Sequence, residues 1–193
     1  TTREVVGYAM RVVDGGLPIA ALARRPFRTS HASAKDVLGT FRDLATTVRG
    51  LHARGLVVGD LNDGNVLVTP TRAKGRPFAV DLIDADSLQL PGHPCVVAHE
   101  RFLDPRLYGT DLAKVHALSR ETDAYALAVL LFASLTCVHP FGGTHPSHPT
   151  LLRRAEARVS VLSPGVKLAK AAFPPAMLPD AALAFFEGVF ERD

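Results

Sequence analysis

The sequence predicts a mainly α-helical α+β domain in which a few short strands frame one polar loop. Three observations predict it. Val37, Phe41, Leu44, Val48 and Leu51 recur at steps of four, three, four and three, the single buried stripe of an amphipathic helix. Thr122 to Thr136 is apolar nearly all round, as a central helix is. Between these helices, short β-branched runs at Val57-Val58, Val66-Leu67-Val68 and Phe78 to Ile83 are bounded by Asn, Asp and Gly.

Length and composition narrow the class. The 193 residues suit one domain with a real core, and 47% hydrophobic against 21% charged residues excludes wholesale disorder. A net charge of +3 is too small to argue for nucleic acid. Cys95 and Cys137 lie far apart without paired spacing, so neither a disulfide framework nor a cysteine zinc site is indicated, and a reducing cytoplasm fits. The longest uncharged apolar stretch, Ala124 to Val138, falls short of the ~20 residues of a membrane-spanning helix, so no membrane partner is expected. No signal peptide precedes Thr1, and an opening on Thr reads as the middle of a domain.

Each element follows in order. Val5 to Val13 reads as a strand ended by the turn Asp14-Gly15-Gly16. Pro18 to Leu22 starts a short helix, and Arg24 to Ser30, with Pro26, reads as a solvated loop. Ser33 caps the long helix with Asp36 near its positive end, and Gly55 closes it. Thr69 to Pro77 is a polar, basic turn between strands. Ser87 to Arg120 has weak periodicity and three prolines, and irregular segments of that length are usually functional. His139 to Pro149 is a loop, Leu151 to Val159 a basic helix, and Pro179 to Phe190 a last helix with Asp180 near its start.

The chemistry concentrates in Gly59-Asp60-Leu61-Asn62-Asp63-Gly64-Asn65 and in Ile83-Asp84-Ala85-Asp86-Ser87. An aspartate five residues before an asparagine, with a second acidic cluster ending the next strand, suits a phosphotransferase. Asp60 would orient a hydroxyl, while Asn65 and Asp84 offer hard oxygens to Mg²⁺. A plain Asn/Asp/Gly turn is the bland reading of the first loop. Asp84, Asp123 and His139-Pro140-Phe141, following in order, weigh against it. His139, His145 and His148 near Cys137 lack strict metal-ligand spacing and read as a solvated loop. Arg24-Arg25, Arg153-Arg154, Arg158, Lys167 and Lys170 read as solvated faces, because no aromatics interleave them.

In this order the motifs resemble the carboxyl-terminal lobe of a eukaryotic-like Ser/Thr protein kinase, in the bacterial branch with a Gly-Asp-x-Asn-x-x-Asn catalytic loop. The resemblance spans nearly the whole chain as one kinase-like domain. It implies a hinge at 1–16, the long helix at 33–55, catalytic and metal loops at 57–87, an activation-type segment at 88–120 and a helical subdomain at 121–193. It implies ATP and Mg²⁺ as cofactors and a protein substrate. Asp60 and Asn62 would stand at the catalytic positions, with Asn65, Asp84 and Asp86 at the metal. Met10 would be the gatekeeper, Arg11 to Val13 the hinge facing adenine, and Leu67 the adenine floor. Asp123 resembles the aspartate that anchors the catalytic loop through backbone N–H groups.

Several positions depart from the pattern. His-Arg-Asp is Val58-Gly59-Asp60, which removes the arginine that pairs with an activation-loop phosphate. Asn62 stands where lysine is usual, and Asp-Phe-Gly is Asp84-Ala85-Asp86. Asp104-Pro105-Arg106 stands where Ala-Pro-Glu would, leaving the glutamate–arginine clamp absent or reversed. These residues hold no glycine-rich phosphate loop and no Val-Ala-x-Lys strand, so an amino-terminal lobe is expected from another segment or a partner chain. Two other readings stay open: a non-catalytic pseudokinase module, and a small-molecule phosphotransferase of the aminoglycoside or choline kinase type.

Overall fold

Pro26, which the sequence assigns to a loop, lies instead in the first turn of a helix. The computed structural model describes residues 10–73, 76–115 and 117–192. Its first elements are β1 (Leu17–Pro18), a 3-10 turn (Ile19–Ala23) and α1 (Arg25–His31). A proline is tolerated in a first turn because the N–H it lacks would be unpaired there anyway. Arg28 of α1 folds inward, and its Nε donates to the Ser134 carbonyl at 2.9 Å. The expected strand from Val5 falls largely outside the described residues. Met10 to Val13 carry no strand, and Asp14-Gly15 form the expected turn.

Helix α2 (Ala34–His52) begins at a full capping box. The Asp36 N–H donates to Ser33 Oγ at 3.2 Å, and the Ser33 N–H returns a bond to the Asp36 carboxylate at 2.9 Å. Those Ser33 bonds hold the Asp36 carboxyl below the usual carboxylate range. Val37, Phe41, Leu44 and Val48 are buried, as their spacing predicts, and Leu51 is half-buried. Strands β2 (Val66–Pro70) and β3 (Phe78–Leu82) pair antiparallel, and β1 adds to the other edge of β2. Val66 faces Leu82 across the ladder, and Leu67 faces both Asp81 and Pro18. Val57 and Val58 form no strand; Val57 makes only an isolated bridge to Gln89.

The segment read as irregular holds a 3-10 turn (Pro105–Leu107) and a short helix α3 (Leu112–Val115). Cys95, Leu103 and Leu118 give it a small apolar core of its own. Helix α4 (Arg120–Thr136) starts two residues before the expected point, because Ser119 caps it with a second capping box. Helices α5 (Leu151–Glu156) and α6 (Asp180–Phe190) complete the fold. Phe132 of α4 meets Phe186 and Phe190 of α6 edge-on, with ring centroids 5.0 and 5.6 Å apart, and Phe141 lies 5.9 Å from Phe190. Each buried phenyl ring contributes roughly 1.5–3 kcal/mol, so this cluster fixes α6 on the central helix.

Two polar groups expected in solvent are inside. His139 is buried, and its Nε2 lies 2.8 Å from the Arg101 carbonyl. Arg154 is buried as well; its Nε donates to the Phe141 carbonyl at 2.9 Å and a terminal nitrogen to the His148 carbonyl at 2.7 Å. A guanidinium with several donors can serve as an internal staple for carbonyls that no helix or strand satisfies. That use cannot be told from a solvated cation by sequence spacing.

Candidate active site

Asp123 organises the site from below. It lies in the first turn of α4 and is fully buried. Its Oδ2 accepts the Val58 N–H at 2.8 Å and contacts His52 Nε2 at 2.7 Å, while its Oδ1 accepts the Gly59 N–H at 3.0 Å. Three donors satisfy a carboxylate that burial alone would strongly destabilise. The anchor inferred from the resemblance therefore has the predicted backbone partners, and His52 adds one that sequence reading missed.

Gly59 has φ of +77°, and a Cβ there would lie 2.8 Å from Cys95 Sγ and 3.1 Å from the Ser87 carbonyl oxygen. Only glycine meets both demands without strain. This turn delivers Asp60 to the surface of the loop. Asp60 Oδ1 accepts the His99 N–H at 2.8 Å, and Asn65 Nδ2 donates to the Asp60 carbonyl at 3.1 Å and to Oδ2 at 3.4 Å. Asn62 is buried; its Oδ1 accepts the Gly64 and Asn65 N–H groups at 2.8 and 3.1 Å. Its carboxamide thus braces the turn from inside.

The β2–β3 ladder carries the second acidic pair to the same end. The Ile83 N–H donates to the Asn65 carbonyl at 3.0 Å, which sets Asp84 one residue beyond Asn65's partner. Asp84 is left-handed, with φ of 63° and ψ of 52°, an unusual backbone for a residue other than glycine. The Ser87 N–H and hydroxyl hold its carbonyl at 3.2 and 3.0 Å. The Asp86 carboxyl, hydrogen-bonded and like-charged, pushes the Asp84 carboxyl above its ordinary value; desolvation and the Asp60 charge add to this. Asp60, Asn65, Asp84 and Asp86 are therefore brought together. Among the described residues no three His, Cys, Asp or Glu side chains form a group that could hold a metal ion, so Asp60, Asp84 and Asp86 do not make one by themselves.

On the far side of the ladder, Val13 and Leu67 flank Gly16, 2.9 and 3.2 Å from where its Cβ would stand. Met10 is exposed, and the Arg11 guanidinium pairs with Asp81 at 2.9 Å. At Asp104-Pro105-Arg106 the acid precedes the arginine, and the two side chains pair with each other. Asp104, buried, accepts three bonds from the Arg106 side chain, the shortest at 2.6 Å, and a contact from Arg158 at 3.4 Å. Burial pushes the Asp104 carboxyl up, but the Arg106 bonds and both arginine charges more than offset this and leave it below the usual range.

No family model matches the chain. Over 150 residues it is 31% identical to the protein kinase YegI of Escherichia coli K12, covering 74% of this chain and 22% of that protein. Over 138 residues it is 28% identical to the serine/threonine-protein kinase PknA of Mycobacterium tuberculosis H37Rv, covering 70% of this chain and 30% of that one. These likenesses support a protein-kinase-like family. The chain thus spans under a third of the length of these kinases. Its mixture of helices with a three-stranded sheet accords with a kinase-like lobe. Among its described residues no helix is long and apolar enough to cross a membrane.

Proposed function

We propose that this chain forms the carboxyl-terminal lobe of a protein kinase and takes part in ATP- and Mg²⁺-dependent phosphoryl transfer to Ser or Thr hydroxyls of proteins. One observation carries the reading: Asp60, Asn65 and the Asp84–Asp86 pair converge at one end of the β2–β3 ladder. The donors fit a hard cation, being oxygens only, and the like-charge crowding that raises Asp84 is what a divalent ion relieves. Asn65, Asp84 and Asp86 would hold Mg²⁺, which when bound neutralises phosphate charge as it develops.

The chain's own residues supply positioning. Asp60 accepts or orients the proton of the attacking hydroxyl, and the Asp123 anchor fixes its aim. Asn65 braces Asp60 from the side. Val13, Leu67 and Met10 offer an apolar surface to the adenine ring, and Arg11 to Val13 the hinge backbone. Positioning and electrostatics are the main contributions a protein can make to this chemistry. A pseudokinase module is the second reading, favoured by Asn62: its Oδ1, at the position of the usual lysine, is engaged with loop amides rather than open to a phosphate.

The test uses a polypeptide that also supplies the glycine-rich loop and the lysine strand. Transfer from ATP is followed onto protein substrates, amino-alcohols and aminoglycosides. Asp60→Ala and Asp84→Ala should each abolish transfer to protein, and Asp84→Ala should also weaken Mg·ATP binding. Wild-type rates in the double variant would refute the assignment, and transfer to the small molecules alone would redirect it.

A further inference from the structure

A groove of about 460 Å³ lies between α2 and α4, and no residue of the Asp60 loop lines it. Ala45 and Val48 of α2 and Ala124 and Leu127 of α4 make its floor. Val48 is buried, Ala45 and Leu127 are half-buried and Ala124 is exposed, so the hydrocarbon reaches the surface. Leu38, one turn before Arg42 on α2, is 53% exposed and extends the apolar ground along the helix. Alanine at two floor positions lets another backbone approach closely, since interhelical distance is set by the side chains at the contact.

The rim is cationic. Arg42 and Arg49 line the groove from α2, both exposed and two turns apart, about 10 Å along the helix axis. Arg120 lines it from the start of α4, and its guanidinium donates to the His52 carbonyl at 2.7 Å. That bond ties α4 to the end of α2 and uses one of several donors on the group. Among the described residues that line the groove, none is a carboxylate. The acids next to these arginines in sequence are engaged elsewhere. Asp43 pairs with Arg76 at 2.8 Å, and Glu121 accepts the Ser119 hydroxyl at 2.6 Å. Three like charges around an apolar floor call for an occupant of the opposite pattern, hydrocarbon in the middle and carboxylates at the sides. The two-turn interval from Arg42 to Arg49 matches positions i and i+7 of a second helix laid alongside α2. Nucleic acid fits less well, because the floor offers no aromatic ring on which a base would stack.

We propose that this groove docks an acidic amphipathic helix of a partner protein. Its apolar stripe lies on Ala45, Val48, Ala124 and Leu127, and its Glu or Asp side chains meet Arg42, Arg49 and Arg120. His52 also lines the groove, and its Nε2 contacts the Asp123 carboxylate that holds the Val58 and Gly59 amides. A docked helix therefore sits one imidazole away from the anchor of the Asp60 loop. Docking requires no phosphate transfer, so it stands or falls apart from the kinase reading.

Fluorescence anisotropy with the 193-residue chain tests it. The probe is a labelled Ala/Leu/Glu peptide of about 18 residues, five helical turns, with Leu along one stripe and Glu on both flanks. Beside it stand a scrambled peptide of the same composition, a version with Lys for Glu, and a short DNA duplex. The striped acidic peptide should bind about 10-fold more tightly than the scrambled one, the equivalent of a few buried methylenes. Arg42→Glu with Arg49→Glu, at exposed positions, should weaken it about 10-fold and shift the preference to the Lys peptide. Ala124→Trp raises a ring from the floor and should weaken binding with the charge unchanged; melting temperatures verify that the variants stay folded. Equal binding of striped and scrambled peptides, or an affinity indifferent to both the charge reversal and Ala124→Trp, overturns the proposal. Duplex DNA that outcompetes the striped peptide and is lost on the same charge reversal overturns it as well, and gives the groove to nucleic acid. Docking without phosphate transfer by the complete kinase polypeptide would refute the kinase reading and leave the groove's role standing. Transfer with no peptide docking would refute the groove alone.

Discussion

Replacing Asp123 by asparagine tests the anchor beneath the site with almost no change in volume. The carboxylate holds three donors, and bonds to a charged group contribute about 1.5–3 kcal/mol each. Asparagine can keep its oxygen toward Val58 and His52, but its NH₂ then faces the Gly59 N–H, donor against donor. One charge-assisted bond is lost, the Gly59 amide is left without its acceptor, and the two remaining bonds become neutral ones. Together these amount to roughly 3–5 kcal/mol, a large part of the ~5–15 kcal/mol that holds a domain folded. With a urea slope of ~2 kcal/mol/M, the unfolding midpoint should fall by about 1.5–2.5 M at unchanged slope. Circular dichroism reads the midpoint, and amide exchange should quicken at Val58 and Gly59. A drop under ~0.5 M, with those two amides still protected, would show that the loop does not depend on this carboxylate.

Other perturbations have equally definite outcomes. Gly59→Ala forces a Cβ against Cys95 at φ of +77° and should lower stability by about 2–4 kcal/mol, read as a fall in melting temperature. Asp104→Ala removes the carboxylate that Arg106 and the half-buried Arg158 both contact and should cost about 2–4 kcal/mol at neutral pH. Because the Asp104 carboxyl lies below its ordinary value, its contribution is present above that value and lost as pH falls through the lowered one, so wild type and variant should converge in acid. His139 shows the same pH trend from the opposite charge: held neutral, it contributes fully above about 6.5 and opposes folding progressively as pH falls towards about 3, and His139→Gln should flatten that part of the stability–pH curve. Asp86→Asn removes the partner that raises Asp84; it should bring the Asp84 titration, followed by carboxyl NMR, back toward the ordinary range and weaken Mg²⁺ binding.

What could be read from the sequence was local. The stripe from Val37 to Val48 and the serine cap at Ser33 follow from helical geometry, which needs only neighbouring residues. Asp123 could be named as an anchor for backbone N–H groups because the order of motifs in a kinase-like chain carries long-range information that spacing does not. The misses were long-range and physical. His52 meets Asp123 across 71 positions, and Arg158 meets Asp104 across 54; nothing in either local window distinguishes these from solvated side chains. Arg154 was misread for the same reason, since an inward guanidinium and an outward one share one helical pattern. Pro26 was read as a breaker because the first turn of α1 offers no apolar period to set against it.

The Asp60 carboxylate and the residues ahead of α3 are mechanically joined. The His99 amide grips one carboxylate oxygen, while the bare α-carbon of Gly59 nests against Cys95. Neither strand of this contact can slide without dragging its neighbour. Whatever tugs on residues 95–99 from outside will therefore swing the carboxylate off its line, giving the surface a lever arm on the interior.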